Sequence, residues 1–181
     1  GDLDAVRRLA RLLPHAAGAH EARRRAHSVG EVVGRIDHGR SADLGQHAHG
    51  VDRLQYAVTP RFAPTSSEQQ LLNAGTLLKE FDGLYLPTHL SEHRHETAWV
   101  ATLFPEAKSY LDVYDRAGLL SRRSVFAHGI HLSKGECQRL GESGSAVAHC
   151  PTSNLFLGSG LINLEQLREH GVHIGLGTDV G

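Results

Sequence analysis

An α/β fold built on a parallel sheet is predicted by three observations. Short apolar runs rich in β-formers recur at RLQYAVTPRF, GLYLPTHL, RSVFAHG, GSAVAHCP and VHIGLGTD. Helix-like segments with their own start and stop signals lie between them. Each run also ends in a polar or ionisable residue: Arg61, His89, His128, His149 and Asp179. The order β-α-β-α-β-α-β-α-β calls for parallel strands joined by right-handed crossovers. The strands are nearly continuous in apolar character, which suits a sheet covered on both faces.

The chain has two compositions. Before residue 50 it is rich in Arg, His, Gly and Ala, and no lysine precedes Lys79. DLDAVRRLARLL fits one amphipathic helix, with Leu3, Val6, Leu9 and Leu13 on a shared face and Asp2 as its N-cap. Residues 14–50 hold no sustained period and read as weakly structured. The organisation expected is an atypical segment, 1–52, followed by a structured unit, 53–181.

In that unit, SSEQQLLNAGTLLKEF opens with Ser66 or Ser67 ahead of Glu68 to Gln70, a capping-box arrangement. ETAWVATLF and AKSYLDVYDRAGLL follow as two helices split by Pro105. SKGECQRLGESG starts at Ser133 with Glu136 three residues on, and INLEQLREHG ends at Gly171, a natural C-cap.

The bulk numbers bound the function. A chain of 181 residues, 40% hydrophobic and 22% charged, can bury a core as a globular domain. A net charge of −1 gives no reason to expect a nucleic-acid or anionic-membrane partner. No apolar run approaches the roughly 20 residues that span a bilayer, and no signal peptide is visible. Cys137 and Cys150 lie too far apart for a C-x-x-C site and read as reduced, buried thiols of a cytoplasmic protein. There is no methionine, and the chain stops at GTDVG, which suggests a fragment with two artificial ends.

Parallel strands deliver their last side chains to one mouth, where β/α barrels build active sites. A doubly wound sheet also binds ligands at the carboxyl ends of its strands, so this feature does not separate the two folds. Imidazole and carboxylate are good ligands for zinc, which lowers the pKa of its water from 15.7 to roughly 7. In THLSE, Glu92 follows His89 by three residues, where one turn brings i and i+3 to the same side. His89 therefore reads as a ligand and Glu92 as a proton shuttle within reach of the attacking water. His128 and Asp179 belong with them, and His149 is left between the site and the helix layer. His93, His95, His131, His170 and His173 lie off the strand ends and read as surface residues. His47 and His49 spell H-x-H but stand in the patternless segment, and are read as a decoy.

TPRFAPTSS, THLSE, LFPEAKSYLDVYDRAGLL, AHGIHLS, AHCPTSNLFLGSGL and IGLGTDVG resemble consecutive blocks of the guanine deaminases, in the amidohydrolase superfamily. The likeness runs from about residue 53 to residue 181. It implies a metal-dependent-hydrolase β/α (TIM-type) barrel, of which this chain holds about strands 4 to 8. It also implies one zinc per site, guanine as a small-molecule substrate, and homodimers in the full-length family. By resemblance, His89 and Asp179 are zinc ligands, and Asp179 also takes a proton from the attacking water. Glu92 carries that proton to the purine and then to the leaving amine, while His128 holds and polarises the attacking oxygen. Arg61 and Phe62 match the pair that contacts guanine.

Two departures follow. The family's first zinc ligands are an H-x-H pair far upstream of TPRF, a place that His47 and His49 do not occupy, so the chain as given is expected to be inactive. The segment before residue 50 has the character of a GC-rich gene read out of frame. The alternatives are a related zinc amidohydrolase acting on another aminopurine, a pyrimidine or a triazine, a histidine-rich metal-binding protein without enzymatic activity, and a gene product with no selected role.

Overall fold

The computed structural model describes residues 56–179. The expected amino-terminal helix, the weakly structured stretch and the His47–His49 pair lie outside the described residues. Strands β1 (Leu86–Leu90), β2 (Ser124–His128), β3 (Ala146–His149) and β4 (His173–Leu176) form one parallel sheet in the order β1-β2-β3-β4. Around it run α1 (Glu68–Glu80), α2 (Arg94–Leu103), α3 (Tyr110–Arg116), α4 (Lys134–Ser143), α5 (Pro151–Phe156) and α6 (Leu164–Glu169). Strands adjacent in sequence are adjacent in the sheet with no reversal of order. That is how a barrel wall is built, whereas a doubly wound sheet reverses at its switch point.

The first apolar run, expected as a full strand, contributes a single parallel bridge between Ala57 and Tyr85. Tyr85 donates its amide to the Tyr56 carbonyl at 3.0 Å and accepts from the Val58 amide at 2.8 Å. Pro60 and Pro64 lack the amide protons a ladder needs, and the chain turns instead through a 3-10 helix at Ala63–Thr65.

Register divides the sheet into two faces. Thr88, Phe126 and Val147 share one row, and His89, Ala127, Ala148 and Gly175 share the next. Side chains alternate along each strand, so these rows face opposite ways. The first face, with Leu86 and Leu90, packs against helix residues that include Leu71, Val100, Leu111, Tyr114, Leu140 and Leu167, all buried. Burying an aromatic such as Phe126 stabilises the fold by roughly 1.5–3 kcal/mol. The opposite face is half-exposed at His89, Ala127 and Ala148. A sheet covered on both sides was expected; among the described residues only the helix side is covered.

Helix starts follow the sequence signals. Ser67, Ser109, Ser133 and Asn163 each accept a hydrogen bond from the amide three residues on, caps worth about 1 kcal/mol apiece. Glu136 completes the box at Ser133 and also accepts from the Leu111 amide at 3.2 Å, so one buried carboxylate ties α4 to α3. Gly171, expected as the C-cap of the last helix, is in the left-handed conformation one residue beyond the cap His170. Helix α5 is an addition to the sequence reading, which gave that stretch no secondary structure; Pro151 at its first turn is a start signal.

Candidate metal and active site

The site is built at the carboxyl ends of β1 and β2. His89 projects from the half-exposed face of β1, and its Nδ1 lies 2.8 Å from the Arg61 carbonyl. A carbonyl only accepts, so Nδ1 carries the proton and Nε2 keeps its lone pair. That Nε2 faces Asp179 Oδ1 at 3.9 Å.

His128 is the last residue of β2 and the register partner of Leu90. Simple alternation would aim it with Leu90 into the helix layer. A φ of +73° rotates its side chain away from that direction, and its ring stands 5.3 Å from that of His89. Left-handed backbone at a residue with a Cβ costs roughly 1–3 kcal/mol. Among the described residues it occurs outside glycine only at Ser91, His128 and Asp179, all at this site.

Each of these strained residues directs a functional group. The Ser91 carbonyl accepts from the amides of Ile130 and His131, both at 3.1 Å, which locks the exit of β1 to that of β2. Glu92 then meets His128, with Oε2 at 3.5 Å from Nε2. Its other oxygen lies 3.5 Å from the Ser159 hydroxyl. Asp179, expected at a strand end, stands three residues beyond β4. Its Oδ2 accepts from the Ser153 hydroxyl at 2.6 Å, leaving Oδ1 toward His89.

His89, His128 and Asp179 each offer one ligand atom, all within 4.8 Å of one another. His128 is fully buried, and its Nε2 has no hydrogen-bond partner among the described residues. Two imidazole nitrogens and a carboxylate converging on one space, one nitrogen being buried and unpartnered, fit a divalent first-row metal ion.

Beside this group, the Arg61 guanidinium lies 5.6 Å from the Phe62 ring centre, and that ring is 6.1 Å from His89. Tyr114 supports this corner from below: its hydroxyl accepts from the Ala63 amide at 2.9 Å and donates to the His89 carbonyl at 2.8 Å. Burial pushes the Tyr114 phenol up to about 12. Burial also raises the Cys150 thiol, whose Sγ contacts the Ala148 carbonyl at 3.4 Å.

The structure thus brings Arg61, Phe62, His89, Glu92, His128 and Asp179 to one corner. Glu92, expected as a proton shuttle beside the ligands, has its Oε2 nearest His128 Nε2. His149 is not in the ligand group. His93, His131 and His170, read as surface residues, are half-buried; His131 Nε2 lies 3.1 Å from the Ser159 carbonyl and burial lowers its pKa. Ser153, Asn154, Ser159 and Tyr114 were not singled out from sequence. The adjacent polar pair in PTSN, in the helix that follows β3, was the one visible signal.

A parallel β/α barrel wall with imidazole and carboxylate groups at its carboxyl rim is the architecture of the amidohydrolases. The chain belongs to the amidohydrolase family, whose description matches residues 45–181. It is 48% identical over 142 residues to a guanine deaminase of Escherichia coli (strain K12), covering 78% of this chain and 32% of that protein. The solved structure of E. coli guanine deaminase superposes with a TM-score of 0.68 at 50% identity, over 69% of this chain and 29% of that one. Guanine deaminase from C. acetobutylicum with bound guanine gives 0.64 at 35% identity, over 67% and 29%. An adenosine deaminase from Xanthomonas campestris with bound zinc gives 0.63 at 27% identity, over 67% and 27%. The chain therefore spans about a third of the length of these relatives.

Proposed function

We propose that this chain carries the guanine-binding and proton-transfer side of a zinc-dependent guanine deaminase, which converts guanine and water to xanthine and ammonia. The observation that supports this best is the convergence of the Arg61–Phe62 pair, the Glu92 carboxylate and the His89–His128–Asp179 group at one corner of the sheet. Arg61 and Phe62 suit a planar polar base, the guanidinium donating to its acceptors and the ring packing on its face.

His89 and Asp179 would hold the zinc ion, with His128 facing the same space. Bound there, zinc supplies Lewis acidity and brings the pKa of water to roughly 7. Asp179 Oδ1 takes the proton of the attacking water. Glu92 Oε2 passes it to the purine ring nitrogen as the C2–O bond forms; the second proton of the water follows the same carboxylates to the amine, which departs as ammonia as the C2–N bond breaks. His128, itself fully buried, would hold the attacking water by accepting its O–H at Nε2.

The test is a chimera. Residues 56–179 replace the matching stretch of the E. coli enzyme, and guanine turnover and zinc content are measured. Xanthine formation with about one zinc per chain is the expected result. A folded, zinc-loaded chimera that leaves guanine untouched, or prefers another aminopurine, a pyrimidine or a triazine, overturns the assignment.

A further inference from the structure

We propose that Asn154 is a positioning residue that fixes the tautomer of His128, holding the proton on Nδ1 so that Nε2 presents a lone pair to the site. Asn154 Oδ1 lies 2.9 Å from His128 Nδ1, and both residues are fully buried. The Asn154 main-chain amide donates to the Cys150 carbonyl at 2.9 Å, and its main-chain carbonyl accepts from the Ser159 amide at 2.9 Å. Asn154 is thus pinned at both main-chain ends within the short helix that follows β3.

The two possible tautomers are not equivalent here. A proton on Nδ1 is accepted by the amide oxygen at hydrogen-bond distance. A proton on Nε2 has no acceptor in line among the described residues, because the Glu92 oxygen at 3.5 Å does not lie in hydrogen-bond geometry. A buried N–H left without a partner costs roughly 1–3 kcal/mol, which favours the Nδ1–H form wherever the Asn154 amide oxygen faces the ring, as it does here. His89 is set in the same way by the Arg61 carbonyl. Both rings therefore turn lone pairs toward the space that Asp179 Oδ1 also faces. His128 Nε2 is consequently an acceptor, for a proton or a metal ion, and not a donor. This deepens the function proposed above, on which it rests only for the use made of that lone pair.

The tautomer is read directly on the metal-free, full chain by 15N NMR of histidine, at a pH well above the ordinary imidazole range. The expected spectrum for His128 has a pyrrole-like Nδ1 and a pyridine-like Nε2. Asn154→Asp keeps the acceptor and is expected to keep that pattern. Asn154→Leu removes it, and the two nitrogens are expected to move toward averaged positions. A pyridine-like Nδ1 in the parent chain overturns the proposal, and so does an Asn154→Leu spectrum unchanged from the parent. The parent and Asn154→Asp spectra decide the matter even if the leucine variant does not fold. The readout uses neither substrate nor metal, so a correct tautomer beside absent guanine turnover in the chimera would fail the function and leave this inference standing.

Discussion

The imidazole of His89 is held by the backbone of Arg61. The Arg61 carbonyl accepts from His89 Nδ1 at 2.8 Å, from the His89 amide at 3.1 Å and from the Thr88 hydroxyl at 3.0 Å. One main-chain group thus orients the ring, while the guanidinium of the same residue remains exposed beside Phe62. The two duties of Arg61 are separable, because only the second depends on its side chain. Arg61→Ala is expected to leave zinc content and the His89 ring orientation unchanged and to raise KM for guanine in the chimera. A lost charge-assisted hydrogen bond of about 1.5–3 kcal/mol corresponds to a weakening of roughly 10- to 150-fold. Zinc loss in this variant would show that the carbonyl does not hold its position without the side chain.

Ligand binding to the folded state alone raises stability by mass action. With zinc at about 100 times its Kd, the gain is about 2.7 kcal/mol. Thermal melts of the chain at rising zinc are therefore expected to shift upward, and a chelator is expected to reverse the shift. His89→Ala removes one ligand of the group and is expected to abolish the response, as Asp179→Asn should weaken it. His47→Ala and His49→Ala test the reading of that pair as a decoy: melts as zinc-responsive as the parent's support it, and a lost response would assign the ion to the histidine-rich segment.

Two glycines set the distance between helices. A Cβ on Gly75 would stand 1.9 Å from the Ala117 carbonyl oxygen, and one on Gly141 would stand 1.9 Å from that of His170. In both places a helix is packed against the backbone at the end of another, so no side-chain rotation relieves the clash. Gly75→Ala and Gly141→Ala are each expected to destabilise the fold by about 1–3 kcal/mol, despite the better helix propensity of alanine. Denaturant midpoints measure this; unchanged midpoints would mean that the helices separate at little cost.

The sequence carried the strand ends well, and their physics explains where the reading fell short. His89, His128 and Asp179 could be picked out because parallel strands send the residues at and just beyond their carboxyl ends to one rim. The α/β order could be found because apolar runs alternated with helices that carry their own caps. The bridge at Ala57 was harder to foresee: two prolines end its ladder, but an apolar run does not show how many partners it will find. The positive φ of His128 was equally hidden, since nothing in FAHG states that the histidine will turn out of its alternation. Ser153, Asn154 and Tyr114 act through contacts that form between distant segments. Their residue types gave no local signal, and only PTSN hinted that its polar pair had partners.

The buried tyrosines predict how the fold fails in alkali. Burial is the main cause that lifts Tyr114 from 10.0 to about 12. The same cause, aided by the charges of Tyr114 and Glu96, carries Tyr110 far above the ordinary phenol range. Above pH 10 the unfolded chain releases protons that the folded chain still binds. Each phenol therefore contributes stability that is fully present below its unfolded pKa and lost as pH rises through the folded one. Cys137 and Cys150, also raised by burial from 9.0, begin the same decline somewhat earlier. Tm is thus expected to fall progressively from about pH 9 upward. Tyr114→Phe lowers Tm at neutral pH, because the Ala63 amide loses its acceptor, but it deletes one titrating group. Its Tm is expected to decline less steeply than the parent's between pH 10 and 12. Parallel declines in parent and variant across that interval would show that the Tyr114 phenol does not control the alkaline limb.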